Sequence, residues 1–158
     1  MDDEIRIERA GGEHADAAAA VAAEAFEGVS IDQAAERHAG PAGGRSWQDI
    51  KADRVREQIA GGEGCFVALA GERVVGFVTT RCETDLKRGS ICNLAVAVDF
   101  RRRGIGRRLI ERALEHFRDR GLTQARIETV VGNGPAGRLY PAAGFREIAR
   151  QIHYAMRL

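Results

Sequence analysis

The chain has 158 residues, 44% hydrophobic and 30% charged, which places it among globular chains long enough to bury a core without disulfides or metal. Its 24 basic residues against 23 acidic ones leave a net charge of +1. That balance excludes a surface-wide field for nucleic acid or anionic lipid, and no apolar run reaches membrane-spanning length, so any anion site is local.

In chain order, DDEIRIERA alternates charged and apolar residues and predicts a first strand near residues 4–9. HADAAAAVAAEAFEG predicts an alanine-rich helix stopping at Gly28, and residues 38–45 read as loop. Ser46 with Asp49 resembles a capping box. Trp47, Ile50, Val55 and Ile59 then recur at helical spacing up to Gly61-Gly62. CFVALAGERVVGFVTTRC reads as a hairpin about Gly71-Glu72. ICNLAVAV is almost wholly apolar and predicts a central strand covered on both faces. From Gly104 the residues Ile105, Leu109, Ala113 and Phe117 step by four, with Ile110 and Leu114 alongside, predicting a helix to Gly121. ARIETVV predicts a further strand. A short helix near 135–142 and closing strands at 145–149 and 152–157 finish the chain, and no repeat or linker divides residues 1–158.

Cys65, Cys82 and Cys92 form no C-x-x-C pair, and with no signal-peptide pattern they read as reduced thiols of a cytoplasmic protein. His14, His38, His116 and His153 stand at no metal-ligand spacing, so no metal site is expected.

The densest chemical signal is VDFRRRGIGRRLIERAL, residues 98–114, where a strand turns into a helix through two glycines among arginines. A helix start exposes N–H groups and a partial positive charge, and glycines let a phosphate approach the backbone. Gly104 and Gly106 fit this, with Arg101, Arg102, Arg103, Arg107 and Arg108 adding charge. The G-K-[ST] of a nucleotide P-loop is absent, and Leu109 stands where a dinucleotide fingerprint needs its third Gly. The bland alternative is a turn glycine beside a solvated arginine face.

Arg101-x-x-Gly104-x-Gly106, after LAVAV and Phe100, resembles the acetyl-CoA signature [RQ]xxGx[GA] of the GCN5-related N-acetyltransferases. NGPAGRLYPAAGF, residues 133–145, is similar to that family's later motif at Asn133, Ala136, Leu139, Tyr140, Gly144 and Phe145. The resemblance covers residues 65–158. Val98 stands where many members carry Pro, and Pro141 departs from the pattern directly after Tyr140.

The resemblance implies an α/β (α+β) fold. A mixed, mostly antiparallel sheet of about seven strands, flanked by about four helices, splays between strands 4 and 5 to admit acetyl-CoA. Its pantetheine arm would pair with backbone at Leu94, Ala95 and Val96, and its pyrophosphate would rest on the N–H groups of residues 102–107, Ile105 included. Asn133 matches a family residue that contacts the pantetheine arm, and equally reads as a helix N-cap ahead of Pro135. The expected activity is direct acetyl transfer to a primary amine of a small molecule, peptide or protein. The alternative is a catalytically silent acetyl-CoA-binding sensor or interaction module.

For catalysis, Glu128 reads as the general base, in an otherwise uncharged strand where burial would raise its pKa, or else as a surface carboxylate paired with an arginine. Tyr140 reads by resemblance as the acid toward the coenzyme A sulfur, or else as a packed core residue. Cys92 has no obvious His partner and reads as an apolar thiol rather than an acyl carrier. Glu24, Glu27, Asp32 and Glu36 read either as an entrance attracting a cationic amine or as a solvated helix face. Trp47 reads as a pocket wall or, from its stripe, as core. A homodimer formed through the last strands stays open; nucleic acid and membrane are not expected partners.

Overall fold

The computed structural model describes residues 4–158. Strand β1 (Ile5–Arg9) is followed by helices α1 (Ala15–Ala25), α2 (Ile31–Ala39) and α3 (Trp47–Gly61). Then come β2 (Phe66–Ala70), β3 (Arg73–Glu83) and β4 (Arg88–Val96), helix α4 (Ile105–Asp119), β5 (Gln124–Ile127) and α5 (Gly134–Ala142). The sheet order is β1-β2-β3-β4-β5. The first four strands pair antiparallel, and β5 runs parallel to β4.

Two apolar layers hold this together. Ala18, Ala19 and Ala22 of α1 and Val55 and Ile59 of α3 pack with Val67, Leu69, Phe77 and Ala95 on one face of the sheet. On the other, Ile105, Leu109, Ile110, Ala113 and Phe117 of α4 pack with Phe66, Ala68, Val75, Val78 and Ile91. The four-residue stripe predicted from Gly104 is therefore the core face of α4.

Three expectations are corrected. The strand buried along its whole length is β2, not β4: beyond Ile91 the α4-side face of β4 is only half covered, with Leu94 and Val96 half-buried. A helix, α2, forms where the sequence reading places none and runs through residues 38 and 39, expected as loop; it is capped by the Ser30 hydroxyl, which accepts from the Gln33 N–H at 3.2 Å. The described residues form five strands and five α-helices instead of about seven and about four, and the expected closing strands do not form. Residues 145–158 contain no helix, turn or bend. No backbone hydrogen bond joins residues 146–158 to the described chain, and a strand without a partner edge forms no ladder. No helix among the described residues is long and apolar enough to cross a membrane.

Candidate active site

The β4–β5 pairing spans only Arg88–Ile91 against Gln124–Ile127. Beyond it β4 continues to Val96 beside β3, and Cys92–Val96, including Leu94, Ala95 and Val96, have no strand paired on the β5 side among the described residues. The divergence coincides with a β-bulge. Thr80 pairs with Ile91 and Thr79 with Asn93, leaving Cys92 as the extra residue. The bulge also switches the strand's parity. Ile91 packs toward α4, whereas Asn93 reaches α3 and Ala95 joins the α1–α3 layer.

Past β4, a short 3-10 turn over Val98–Phe100 leads into the arginine–glycine loop. Gly104 caps α4 at φ 74°, and Arg102 adopts φ 63°, a left-handed conformation unusual for a side-chain-bearing residue. Such strain, on the order of 1–2 kcal/mol, persists where the surrounding structure enforces it, commonly at binding sites. The N–H groups of Arg102, Gly104, Ile105, Gly106 and Arg107 donate to no backbone carbonyl among the described residues. They form the concave set of donors that suits a diphosphate.

The arginine side chains divide differently from the sequence expectation. Arg101 folds back to donate to the carbonyls of Val96 (3.3 Å) and Ala25 (3.4 Å). Arg103 lies over the Phe100 ring, 4.8 Å from its centroid, and donates to the Asp99 carbonyl. Arg107 pairs with Glu111 at 2.9 Å, and Arg108 donates to the Ile5 carbonyl at 2.9 Å. Arg102 is exposed and makes no side-chain hydrogen bond or ion pair among the described residues.

Helix α5 docks on this loop. A Cβ on Gly106 would come 3.2 Å from Leu139 Cδ2 and 3.9 Å from Val96 Cγ2, so glycine there lets α4, α5 and the end of β4 converge. Asn133 caps α5, its Oδ1 accepting from the Ala136 N–H at 3.3 Å while its Nδ2 donates to Thr129 Oγ1 at 3.0 Å. Pro141 is absorbed within the helix. The N–H it lacks would have bonded Gly137, an exposed residue. Tyr140 is half-buried, edge-on to Phe145 at 6.3 Å, and burial pushes its phenol up to about 12.

Glu128 stands one residue past β5 and is exposed, so the burial expected around it is not found. Since Ile127 pairs with Ile91, Glu128 and Cys92 are the first residues beyond the point of divergence. Partial burial pushes the Cys92 thiol up, opposed by Arg81 and then reinforced by Glu128's charge.

A buried polar network escaped the sequence reading. Lys51 of α3 lies over the Phe26 ring at 3.9 Å and donates to Asn93 Oδ1 at 2.7 Å. Asn93 Nδ2 donates in turn to Gln58 Oε1 at 2.7 Å, which also accepts from Thr79 Oγ1 at 2.6 Å. Burial lowers the pKa of Lys51. The usable signal was Asn93, an amide within ICNLAVAV, because a polar side chain in a buried strand needs partners.

Three of the acidic residues of α2 and the turn before it are engaged within the chain. Asp32 pairs with Arg54 at 2.7 Å, Glu27 accepts from Gln33 at 2.7 Å, and Glu36 accepts from the Trp47 N–H at the start of α3. Trp47 is buried and belongs to the core. A cleft between α2 and α3 retains Asp32, Glu36 and Trp47 in its lining. No cluster of metal-ligating side chains occurs among the described residues.

A family model described as acetyltransferase (GNAT) family matches residues 31–145. The chain is similar to N-alpha-acetyltransferase 30 of Xenopus laevis, 34% identical over 95 residues that cover 57% of this chain and 34% of that one. It is 33% identical over 85 residues to the ribosomal protein bS18-alanine N-acetyltransferase of Salmonella typhimurium strain LT2, covering 54% and 56%. The chain thus spans between about a third and just over half of the length of these curated relatives. Among solved structures, an aminoglycoside N-acetyltransferase in complex with CoA superposes with a TM-score of 0.71 at 18% identity, over 98% of this chain and 96% of the other.

Proposed function

Because the chain belongs to the acetyltransferase (GNAT) family, we propose that residues 1–158 act as a single N-acetyltransferase domain, moving an acetyl group from acetyl-CoA directly to a primary amine of a small molecule, peptide or protein. The observation that carries this reading is the set of unpaired N–H groups at the start of α4, lying beside the half of β4 that has no strand paired on the β5 side among the described residues. When bound, acetyl-CoA supplies the acetyl group as a thioester.

In this reading the N–H groups of residues 102–107 hold the diphosphate and Arg102 adds a charged contact. Backbone at Leu94, Ala95 and Val96 pairs with the pantetheine arm as an added strand would, with Asn133 beside it. The bulge at Cys92 turns main-chain groups of β4 out of register with β3, the kind of backbone position that serves a developing oxyanion.

An alkyl ammonium near pKa 10 leaves only about one amine in a thousand free at neutral pH, so a base is needed. Glu128, exposed where β4 and β5 part, accepts that proton directly or through water. Tyr140 donates to the departing sulfur. Complete transfer from a phenol at about 12 to a thiolate of ordinary pKa near 8.5 is uphill by about 5 kcal/mol, so a donated hydrogen bond stabilises the thiolate. Relatives named for a protein's alanine and for aminoglycosides support an amine acceptor. Free Cys65, Cys82 and Cys92 support a reducing, cytoplasmic setting.

Titration calorimetry with acetyl-CoA and with coenzyme A, followed by thiol release across polyamines, aminoglycosides and peptides with free N-termini, tests the reading. Uptake of both with thiol release for one amine class is expected. Uptake without release for any amine favours a silent sensor, and no uptake ends the proposal.

A further inference from the structure

Three of the five buried polar side chains among the described residues, Thr79, Thr80 and Asn93, sit at the register shift between β3 and β4. A buried polar group costs free energy unless it is partnered. Thr80 donates to the Gly64 carbonyl at 2.8 Å. Thr79 and Asn93, opposite each other in the ladder, instead join Gln58 and Lys51 of α3.

The direction of this network is set from one end. An ammonium donates and cannot accept, so the Asn93 atom 2.7 Å from Lys51 Nζ is the amide oxygen. The Asn93 nitrogen must then donate, to Gln58 Oε1 at 2.7 Å and at longer range to Thr79 Oγ1 at 3.3 Å. Gln58 Oε1 also accepts from the Thr79 hydroxyl at 2.6 Å. Without Lys51 the Asn93 and Gln58 amides can both turn over, and two arrangements compete where there was one. Lys51 is itself held over the Phe26 ring. Burial disfavours its charge, Asp32 supports it and Arg54 opposes it.

The main chain braced in this way is paired with a strand on one side only. Asn93 follows Cys92, the extra residue of the bulge, at the start of the half of β4 that no described residue of β5 pairs. At the far end of that half, Arg101 ties the Val96 carbonyl to the Ala25 carbonyl by donating to both. We propose that Lys51 is a positioning residue: through Asn93 and Gln58 it holds the β4 bulge in the one setting that brings a backbone N–H to the thioester carbonyl of acetyl-CoA. This rests on the acetyl-transfer reading above and adds to it a side chain, on another element, that sets the donor's place.

Infrared difference spectroscopy with acetyl-CoA isotope-labelled at the thioester carbonyl tests it. A hydrogen bond to that carbonyl lowers its stretching frequency, so the bound label reports the donor without an acceptor amine. The natural chain is expected to lower the band. Lys51→Met and Asn93→Leu are each expected to lose that shift while calorimetry still finds acetyl-CoA bound. A folded Lys51→Met variant that keeps the natural shift overturns the proposal, even with a lowered urea midpoint, because Lys51 is then only structural. If that variant does not fold, a folded Asn93→Leu that keeps the shift overturns it instead. A natural chain that binds acetyl-CoA with no lowering of the band overturns this proposal alone, whereas one that takes up no acetyl-CoA ends the acetyl-transfer reading with it.

Discussion

Tyr140 carries the sharpest chemical expectation of any single residue. Because burial holds its phenol at about 12, it keeps its proton throughout the working range, and no limb of the pH–rate profile below about pH 10 belongs to it. Tyr140→Phe is expected to lower kcat roughly 10²-fold at saturating acetyl-CoA, with little change in acetyl-CoA affinity and the shape of the profile retained; steady-state kinetics across pH checks this. Glu128→Gln is expected instead to depress kcat/KM for the amine while leaving acetyl-CoA affinity unchanged, measured by the same kinetics and by calorimetry. Tyr140 could be singled out from the sequence because it occupies a fixed position of the 133–145 motif. Lys51 could not, since nothing in WQDIKADRVREQIAG marks one position as facing Asn93, 42 residues away.

At the scale of elements, the start of α4 and helix α5 act as one unit joined at Gly106. A Gly106→Val side chain would press on Leu139 and Val96 and crowd the N–H groups beside it. Acetyl-CoA affinity is expected to fall at least tenfold, measured by calorimetry, while the melting transition stays cooperative. The strand-to-helix turn, its glycines and the capping of α5 by Asn133 were all readable as local backbone requirements. Helix α2 was missed although SIDQ is a capping signal, Ser30 accepting from the Gln33 N–H. β5 is shorter than ARIETVV because its length is set by where β4 bends away, and the bulge at Cys92 exists only relative to β3. Neither pairing is written in the segment itself.

For the whole molecule, one buried imidazole adds to acid sensitivity. His116 of α4 is buried, edge-on to Phe66 at 6.0 Å, with its Nε2 3.9 Å from Cys82 Sγ. Burial, followed by Arg9, Arg120 and Arg112 and opposed by Glu63, lowers its pKa. The unfolded chain takes up a proton near pH 6.5 that the folded one refuses, so folded stability is lost as pH falls through that value. Urea midpoints at pH 7.5 and 5.5 are expected to differ less in His116→Gln than in the natural chain. The layered architecture was legible from periodicity because each layer needs one apolar face; the fate of the last residues was not, since a strand pattern states that a partner is required and leaves its origin unspecified. The half of β4 that pairs only with β3 among the described residues has a wider consequence. Under the proposed function a metabolite completes the sheet there and binds only the native form. By mass action, such a ligand at a hundredfold excess over its dissociation constant adds about 2.7 kcal/mol to folding, so emptying the cleft brings the chain that much closer to unfolding and proteolysis.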